Sequence, residues 1–269
     1  MAHELSFDGL ETVRLDHPGD HMLRITLARA GRGNSLNTRM GEDLVRIFGA
    51  LEAKPSLYRC IILTAEGDRI FCAGADLKER NGMDDAAFQE QHYLFERMVR
   101  AISDCPIPTI AVVNGAALAG GLELMLGCDF AYAADHARFG FPEVMRGIMP
   151  GGGGTQHLAR IVGAPRAKEL ILSGAIFGAA EALEWGLVNK IMPGAAIMAA
   201  ALETAATICA NAPIAIAQAK KSIGFGLQMD LRTGLFFEVE AYSRLIGTED
   251  RREGIAAFNE KRPPVFQGR

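Results

Sequence analysis

The stretch NGAALAGGLELMLG, residues 114–127, leads from a turn through a run of small residues into an apolar helix. Asn114 and Gly115 are typical turn residues, and the apolar residues from 122 to 128 predict a short buried helix. Glu123 is the only charged side chain in that helix. A carboxylate inside an apolar segment is costly unless it is paired or functional. The alternative is that Glu123 only stabilises the helix N-terminus through the macrodipole.

Strands and helices alternate on both sides of this stretch. Apolar residues at a period of two, or in short buried runs, predict strands, and apolar residues at helical spacing predict helices. The predicted strands are 21–27, 60–64, 109–113, 129–134, 137–140 and 187–191, and the predicted helices of this part are 37–54, 85–103, 154–162 and 165–172. This alternation is typical of an α/β fold.

The alternation ends at Pro193 and Gly194. Beyond them the strand pattern disappears, and helices, many of them rich in alanine, are predicted at 195–211, 213–223, 230–247 and 251–259. We therefore divide the chain into a core, residues 1–194, and a C-terminal all-helical region, residues 195–269. The apolar side chains of residues 235–242 exceed what a small helical bundle needs, which predicts packing on the core or on another subunit.

Composition argues against several functional classes. The 269 residues are 49% hydrophobic and 22% charged, with a net charge of −4, whereas a protein that holds nucleic acid usually shows a basic footprint. No apolar run approaches the roughly 20 residues of a membrane-spanning helix, and acidic residues interrupt the N-terminus where a signal peptide would be apolar. The five cysteines are scattered without a C-x-x-C pair. We therefore expect no disulfide framework, no metal site, and reduced thiols in the cytoplasm.

Three glycine clusters, at residues 71–75, 114–121 and 147–154, each stand where a strand or loop gives way to a helix. Glycine allows positive φ and close approach of a ligand to the backbone, and helix starts present unpaired N–H groups. The clusters fit neither a P-loop nor a dinucleotide fingerprint, and the chain has no G-x-S-x-G nucleophile motif. Each cluster taken alone is also compatible with a simple tight turn.

A second acidic residue, Glu143, follows Pro142 in the apolar segment FGFPEV, residues 139–144. As for Glu123, the sequence leaves two interpretations of this residue open. Glu143 is either a functional carboxylate in an apolar site or an acid in the first turn of a helix that begins at the proline.

Seven short blocks, taken together, carry a resemblance to a known family. They are FCAGADLKE (71–79), NGAALAGGLE (114–123), FGFPE (139–143), NSLN (34–37), PGGGGTQ (150–156), ALEWGLV (182–188) and FNEKR (258–262). The blocks are spread over nearly the whole chain. In their residues and in their order along the chain they resemble the signature blocks of the crotonase, or enoyl-CoA hydratase/isomerase, superfamily.

The resemblance implies a fold and a ligand. The fold is a spiral of ββα units followed by a C-terminal helical region that packs trimers, often doubled to hexamers. The ligand is an acyl-CoA thioester, so coenzyme A is part of the substrate and no separate cofactor is expected. The N–H groups of Ala73 and Gly120 would form an oxyanion hole for the thioester oxygen. The residues expected to contact substrate are Ala73, Gly74, Ala75, Asp76, Leu77, Gly120, Gly151 and Lys261.

Lys261 would approach a phosphate of coenzyme A, in its own subunit or in a neighbour. The alternative for Lys261 is a solvated cation at the end of a helix. Residues 80–87, which in the family help to shape the acyl pocket, match no motif that specifies the acyl group.

Glu123 and Glu143 match the two catalytic carboxylates of the hydratase branch. The resemblance therefore implies an enoyl-CoA hydratase that reversibly adds water to a trans-2-enoyl-CoA, giving a 3-hydroxyacyl-CoA through an enolate. Glu123 is expected to act as the base on water and Glu143 as the proton donor to C2, with the Gly151 N–H helping to hold the water. Two close carboxylates in an apolar pocket do not both ionise easily, so one keeps a proton near neutral pH.

Two alternatives remain open from the sequence. One is a different crotonase-type reaction, either isomerisation of an enoyl-CoA or dehydratase, lyase or hydrolase chemistry on a specialised CoA ester. The other is a non-catalytic scaffold or RNA-binding protein. The acidic balance and the two glutamates argue against it.

For the leading interpretation we expect a cytoplasmic enzyme of fatty-acid metabolism, in β-oxidation.

Overall fold

The computed structural model describes residue 5 and residues 7–269. Two sheets organise the core. The six-stranded sheet has the order β1 (Val13–Asp16), β2 (Met22–Leu27), β3 (Cys60–Ala65), β5 (Thr109–Val113), β7 (Phe130–Ala134) and β10 (Lys190–Met192), and the four-stranded sheet has the order β4 (Ile70–Cys72), β6 (Ala116–Leu118), β8 (Arg138–Gly140) and β9 (Ile176–Gly178). All neighbours pair in parallel except β1 with β2 and β8 with β9.

The chain passes from one sheet to the other in each turn of the spiral. After β3 and β4 comes the short helix α2 (Leu77–Arg80), after β5 and β6 comes α4 (Gly120–Gly127), and after β7 and β8 comes a 3-10 turn (Pro142–Arg146). Because β4, β6 and β8 are parallel neighbours, their carboxyl ends meet at one edge of the small sheet. Ligands of α/β folds commonly bind at such an edge.

Two amphipathic helices cover the core. They are α1 (Thr38–Ala53) and α3 (Asp85–Asp104), which pack against each other. The side chains of Asn37 and Asp84 cap their N-termini by accepting backbone hydrogen bonds, as helix caps commonly do. Three shorter helices follow the 3-10 turn, namely α5 (Gly154–Val162), α6 (Ala164–Ser173) and α7 (Ala179–Glu184). The site at the carboxyl edge thus lies between α3, α4 and the start of α5.

Four helices complete the chain. They are α8 (Gly194–Ala210), α9 (Pro213–Gly226), α10 (Leu231–Ser243) and α11 (Glu249–Glu260). Helix α8 buries Ile197 and Ala201 against Ile62 and Val112 of the large sheet, so the first helix of this region is part of the core packing. The other three helices expose large apolar side chains, among them Leu231, Phe236, Tyr242 and Phe258.

No single helix of the described residues is long and apolar enough to cross a membrane. Only α8 and α9 taken together reach that length and composition, across a bend of 109°.

The predicted α/β class is confirmed, and the predicted helices and most predicted strands are present. The strand expected at 187–191 is displaced, since β10 spans Lys190–Met192. Strands β1, β4, β6 and β9 were not predicted, and each has only three or four residues, which is little in which to recognise a period of two. The helix expected from residue 122 begins two residues earlier, at Gly120.

Candidate active site

A cavity of about 280 Å³ opens at the carboxyl edge of the small sheet. Seven of the residues singled out from the sequence line it, namely Ala73, Ala75, Leu77, Gly120, Glu123, Glu143 and Gly151. The rest of its wall is largely apolar and includes Phe95, Met98 and Val99 of α3. The fold therefore brings both glutamates and residues of all three glycine clusters into one pocket.

Glu123 is buried and held by backbone N–H groups. Its Oε1 accepts hydrogen bonds from the N–H of Gly152 at 2.7 Å and of Gly154 at 2.9 Å. The glycine run is needed here, because Gly153 has a φ of +107° and a Cβ on Gly152 would lie 2.8 Å from Glu123 Oε2. Sequence reasoning placed the water-holding N–H at Gly151 and missed these two donors.

Opposing effects act on the pKa of Glu123. Burial raises it, while the N–H groups of Gly154 and Gly152 and the charge of Arg80 lower it, with burial the largest effect. A carboxylate that accepts backbone hydrogen bonds is stabilised in its charged form. These contacts oppose the effect of burial without outweighing it, so the pKa of Glu123 lies above its ordinary value.

Glu143 lies in the 3-10 turn that Pro142 begins. Within the part of the chain that the structure describes, its buried Oε2 has no hydrogen-bond partner. Burial, together with the negative charge of Glu123, raises the pKa of Glu143 to about 7. A side chain with these properties can carry a proton near neutral pH and offer it to a ligand.

The backbone after β4 corrects one prediction. The Ala73 N–H donates to Gly33 O at 3.1 Å, so it is not available to a thioester oxygen, and the assignment of Ala73 to the oxyanion hole is wrong. Leu36 forms a β-bridge with Ala75. The Leu36 N–H donates to the Gly74 carbonyl, and the Leu36 carbonyl accepts from the Asp76 N–H. Because N–H groups alternate in direction along an extended segment, the Ala75 N–H points away from Leu36.

The N–H groups of Ala75 and Gly120 have no hydrogen-bond partner among the described residues, and both residues line the cavity. Gly120 is the first residue of α4, where an N–H lacks an intrahelical acceptor. The two segments are in close contact, since a Cβ on Gly74 (φ +88°) would lie 2.6 Å from Ala119 Cβ and 3.3 Å from Gly120 N. The candidate oxyanion hole is therefore Ala75 with Gly120.

Three predicted substrate contacts do not belong to the lining of this cavity. Gly74, Asp76 and Lys261 are not among the described residues that line it. The Asp76 carboxylate caps α2 and pairs with Arg29 at 3.0 Å, which gives it a structural role. Lys261 is exposed at the end of α11, and its contact with coenzyme A stays a prediction.

Three basic residues of the cavity wall were missed from the sequence. They are Arg80, at the end of α2, His92 on α3, whose ring lies against Gly151, and Arg146 in the 3-10 turn. His92 stands three residues before Phe95 and lies on the same face of α3. Its position on that apolar face is the sequence signal that would have identified it. No three His, Cys, Asp or Glu side chains within residues 5 and 7–269 form a group that could hold a metal ion.

Comparison with known proteins agrees with this geometry. The family model for enoyl-CoA hydratase/isomerase matches residues 19–269. The chain is 40% identical over 238 residues to the short-chain-enoyl-CoA hydratase of Clostridium acetobutylicum, covering 88% of this chain and 91% of that protein. It is 38% identical over 265 residues to the human mitochondrial methylglutaconyl-CoA hydratase, covering 97% and 78%.

A solved structure is also similar over the full fold. The crystal structure of an enoyl-CoA hydratase from Bacillus anthracis matches with a TM-score of 0.94 and 42% identity, covering 96% of this chain and 100% of that one. The predicted fold of ββα units with C-terminal helices is thereby confirmed. The chain belongs to the enoyl-CoA hydratase/isomerase family of the crotonase superfamily, and it is an enzyme of the crotonase type acting on acyl-CoA thioesters.

Proposed function

We propose that this enzyme is an enoyl-CoA hydratase that reversibly adds water to a trans-2-enoyl-CoA. The observation that carries the proposal is the unequal pair of carboxylates in one apolar cavity. Glu123 is held as an acceptor by two N–H groups, and Glu143 has a pKa of about 7 with an unpartnered Oε2 among the described residues. Unequal carboxylates supply a base and an acid at the same pH.

The steps follow from these positions. The N–H groups of Ala75 and Gly120 bind the thioester oxygen and stabilise the enolate that forms when water adds to C3. Glu123 takes one proton from that water, its oxygen bonds to C3, and Glu143 delivers its proton to C2. Proton exchange with solvent then restores the pair. The two groups titrate as a coupled unit, so their apparent pKa values belong to the pair.

Isomerisation is the competing reaction within the family, whose description covers hydratases and isomerases. Moving a double bond needs a proton removed at one carbon and returned at another, without added water. The two relatives named above are called hydratases, while another at 45% identity is named as a hydratase/isomerase. Hydration needs a group that activates water besides the proton donor, and the cavity supplies two carboxylates. These points favour hydration.

The test is incubation of the enzyme with crotonyl-CoA in water enriched in ¹⁸O. A hydratase gives 3-hydroxybutyryl-CoA that carries one ¹⁸O, read by mass spectrometry. The same assay with trans-3-hexenoyl-CoA detects isomerisation as the 2-enoyl product. A product with a shifted double bond and no water, or free coenzyme A, contradicts the proposal.

We further propose a homotrimer or homohexamer, a cytoplasmic location in fatty-acid β-oxidation, and a reaction that needs no added cofactor. The exposed apolar side chains of α10 and α11 support the assembly, because such patches mark interaction surfaces. Light scattering at micromolar concentration is expected to give three or six times 28.9 kDa, and a monomer contradicts the assembly. Activity is expected to survive dialysis against a chelator.

A further inference from the structure

The guanidinium of Arg80 is fixed in the wall of the cavity by contacts on two sides. Its Nε donates to Gln91 Oε1 at 2.8 Å. Its Cζ lies 4.5 Å from the ring centre of Phe88 and 5.5 Å from that of Phe95, within cation–π distance. One edge and the faces of the guanidinium are thus occupied.

Gln91, which orients Arg80, is itself rigid. It is buried, and its Nε2 donates to Thr38 Oγ1 at 2.9 Å and to Glu79 Oε2 at 2.8 Å. Glu79 also accepts from the N–H of Thr38 at 3.0 Å. A binding group held by such supporting bonds loses little freedom when a ligand arrives.

The outer nitrogens of Arg80 form no hydrogen bond to the described residues. Neither Nη1 nor Nη2 has a hydrogen bond or an ion pair with any residue in the described part of the chain, although Arg80 is half-buried and lines the cavity. The charge interacts electrostatically with Glu79 and Glu123, but the N–H groups of the two outer nitrogens remain available to an acceptor. Arg80 lines a cavity whose α3 wall is largely apolar, with Phe95, Met98 and Val99.

We propose that Arg80 binds a free carboxylate on the acyl group, so that the preferred substrate is the mono-thioester of an unsaturated dicarboxylic acid. The inference rests on the proposed function, because it assumes that the thioester end is held by Ala75 and Gly120. The outer nitrogens of a guanidinium match a carboxylate in a bidentate arrangement. A methyl-ended acyl chain would leave these outer N–H groups without an acceptor on the substrate.

A simpler role for Arg80 is to adjust the charge of Glu123, since the two interact electrostatically. That role affects every substrate to the same extent. Carboxylate binding affects only acyl groups that carry the carboxylate. The ratio of kcat/KM between two matched substrates therefore separates the roles, because any effect on Glu123 cancels from the ratio.

The kinetic test uses pent-2-enoyl-CoA with pent-2-enedioyl-CoA, and hex-2-enoyl-CoA with hex-2-enedioyl-CoA. Within each pair a terminal methyl group is replaced by a carboxylate. The wild-type enzyme is expected to prefer the dicarboxylic member of at least one pair by about 10- to 100-fold, as for a charge-assisted hydrogen bond. Arg80→Met is expected to abolish that preference, and Arg80→Lys to retain part of it. Arg97→Met, an exposed change on α3, is the matched control.

Binding of saturated analogues separates this inference from the proposed function. Pentanedioyl-CoA and pentanoyl-CoA cannot be hydrated, and calorimetry compares their affinities without any reaction. Tighter binding of pentanedioyl-CoA by the wild type, lost in Arg80→Met and kept in Arg97→Met, supports the inference even if hydration fails. Equal binding of the two, or a preference that survives in Arg80→Met, overturns it even if hydration is observed.

Discussion

The Glu123 carboxylate accepts a 2.7 Å hydrogen bond from the N–H of Gly152. A second bond comes from Gly154, so the start of α5 holds one oxygen of the glutamate in place. The other glutamate of the cavity, Glu143, has a buried oxygen with no such partner among the described residues. Burial raises the pKa of both carboxyls, and at Glu123 the N–H groups of Gly152 and Gly154 oppose this effect.

The contact between Gly152 and Glu123 leaves no space for a side chain. In Gly152→Ala the new Cβ would lie 2.8 Å from Glu123 Oε2, so the carboxylate must move. Misplacing a catalytic group by about 1 Å costs on the order of 100-fold in rate. We expect kcat to fall by about that factor in steady-state assays, while circular dichroism shows an intact fold.

Gly49→Ala is the control for this change. Gly49 lies within α1, and its Cβ would meet nothing within 4 Å. Because alanine is the better helix former by about 1 kcal/mol, this variant is expected to keep kcat and to be no less stable than the wild type. Equal kcat in Gly152→Ala and Gly49→Ala would show that the position of Glu123 is not critical.

The oxyanion hole is tested by a pair of changes at Gly120. Gly120→Pro removes the N–H, and proline is tolerated at the first position of a helix. Gly120→Ala keeps the N–H and adds a Cβ that would lie 2.9 Å from Leu36 Cδ1, the end of a flexible side chain. Loss of one oxyanion donor costs about 100- to 1000-fold in kcat. We expect that loss in Gly120→Pro and a much smaller one in Gly120→Ala.

Circular dichroism and light scattering accompany both variants, because a misfolded protein is also inactive. A folded Gly120→Pro with near-normal turnover would mean that this N–H does not bind the thioester oxygen.

The raised pKa of Glu143 predicts a pH-dependent cost to stability. Its folded-state pKa is about 7 against an ordinary value of 4.5. Below pH 4.5 both states hold the proton and the cost is absent. Between pH 4.5 and 7 the unfolded state releases the proton first, so the free energy of unfolding falls as the pH rises.

Glu143→Gln removes this cost. Its Tm relative to the wild type is expected to rise from pH 4.5 to pH 7 and then to level off. Glu90→Gln, an exposed change on α3, controls for the loss of one surface charge. A Tm difference that does not vary with pH in differential scanning calorimetry contradicts the assigned environment of Glu143.

Much of the site could be predicted because its residues are unusual in the segments where they stand. Glu123 and Glu143 stand out as charges in apolar segments, and the glycine clusters mark where the backbone approaches a ligand. The resemblance then implied their chemistry. Local sequence was sufficient for these residues because each is unusual in its own segment.

The remaining features depend on contacts between distant segments. Whether Ala73 or Ala75 offers its N–H to the cavity is decided by Gly33 and Leu36, which pair with that segment from about 40 residues away. Arg80 is an ordinary helix-end cation until Gln91 and Phe88 orient it. No periodicity in the sequence reports such contacts, so these residues required the structure.

The central claim is that two carboxylates act in hydration. Glutamine keeps the size of glutamate but removes its acid–base capacity, and a general acid or base contributes about 100- to 10,000-fold. We expect Glu123→Gln and Glu143→Gln each to lower kcat by at least 100-fold with little change in KM, because the lost interactions belong to the transition state. The double variant is expected to be little worse than the poorer single one.

The most direct measurement is therefore kcat of the two single variants on crotonyl-CoA. Both variants are expected to lose nearly all hydration while remaining folded. A Glu123→Gln enzyme that keeps wild-type kcat while Glu143→Gln is inactive would contradict the two-carboxylate mechanism.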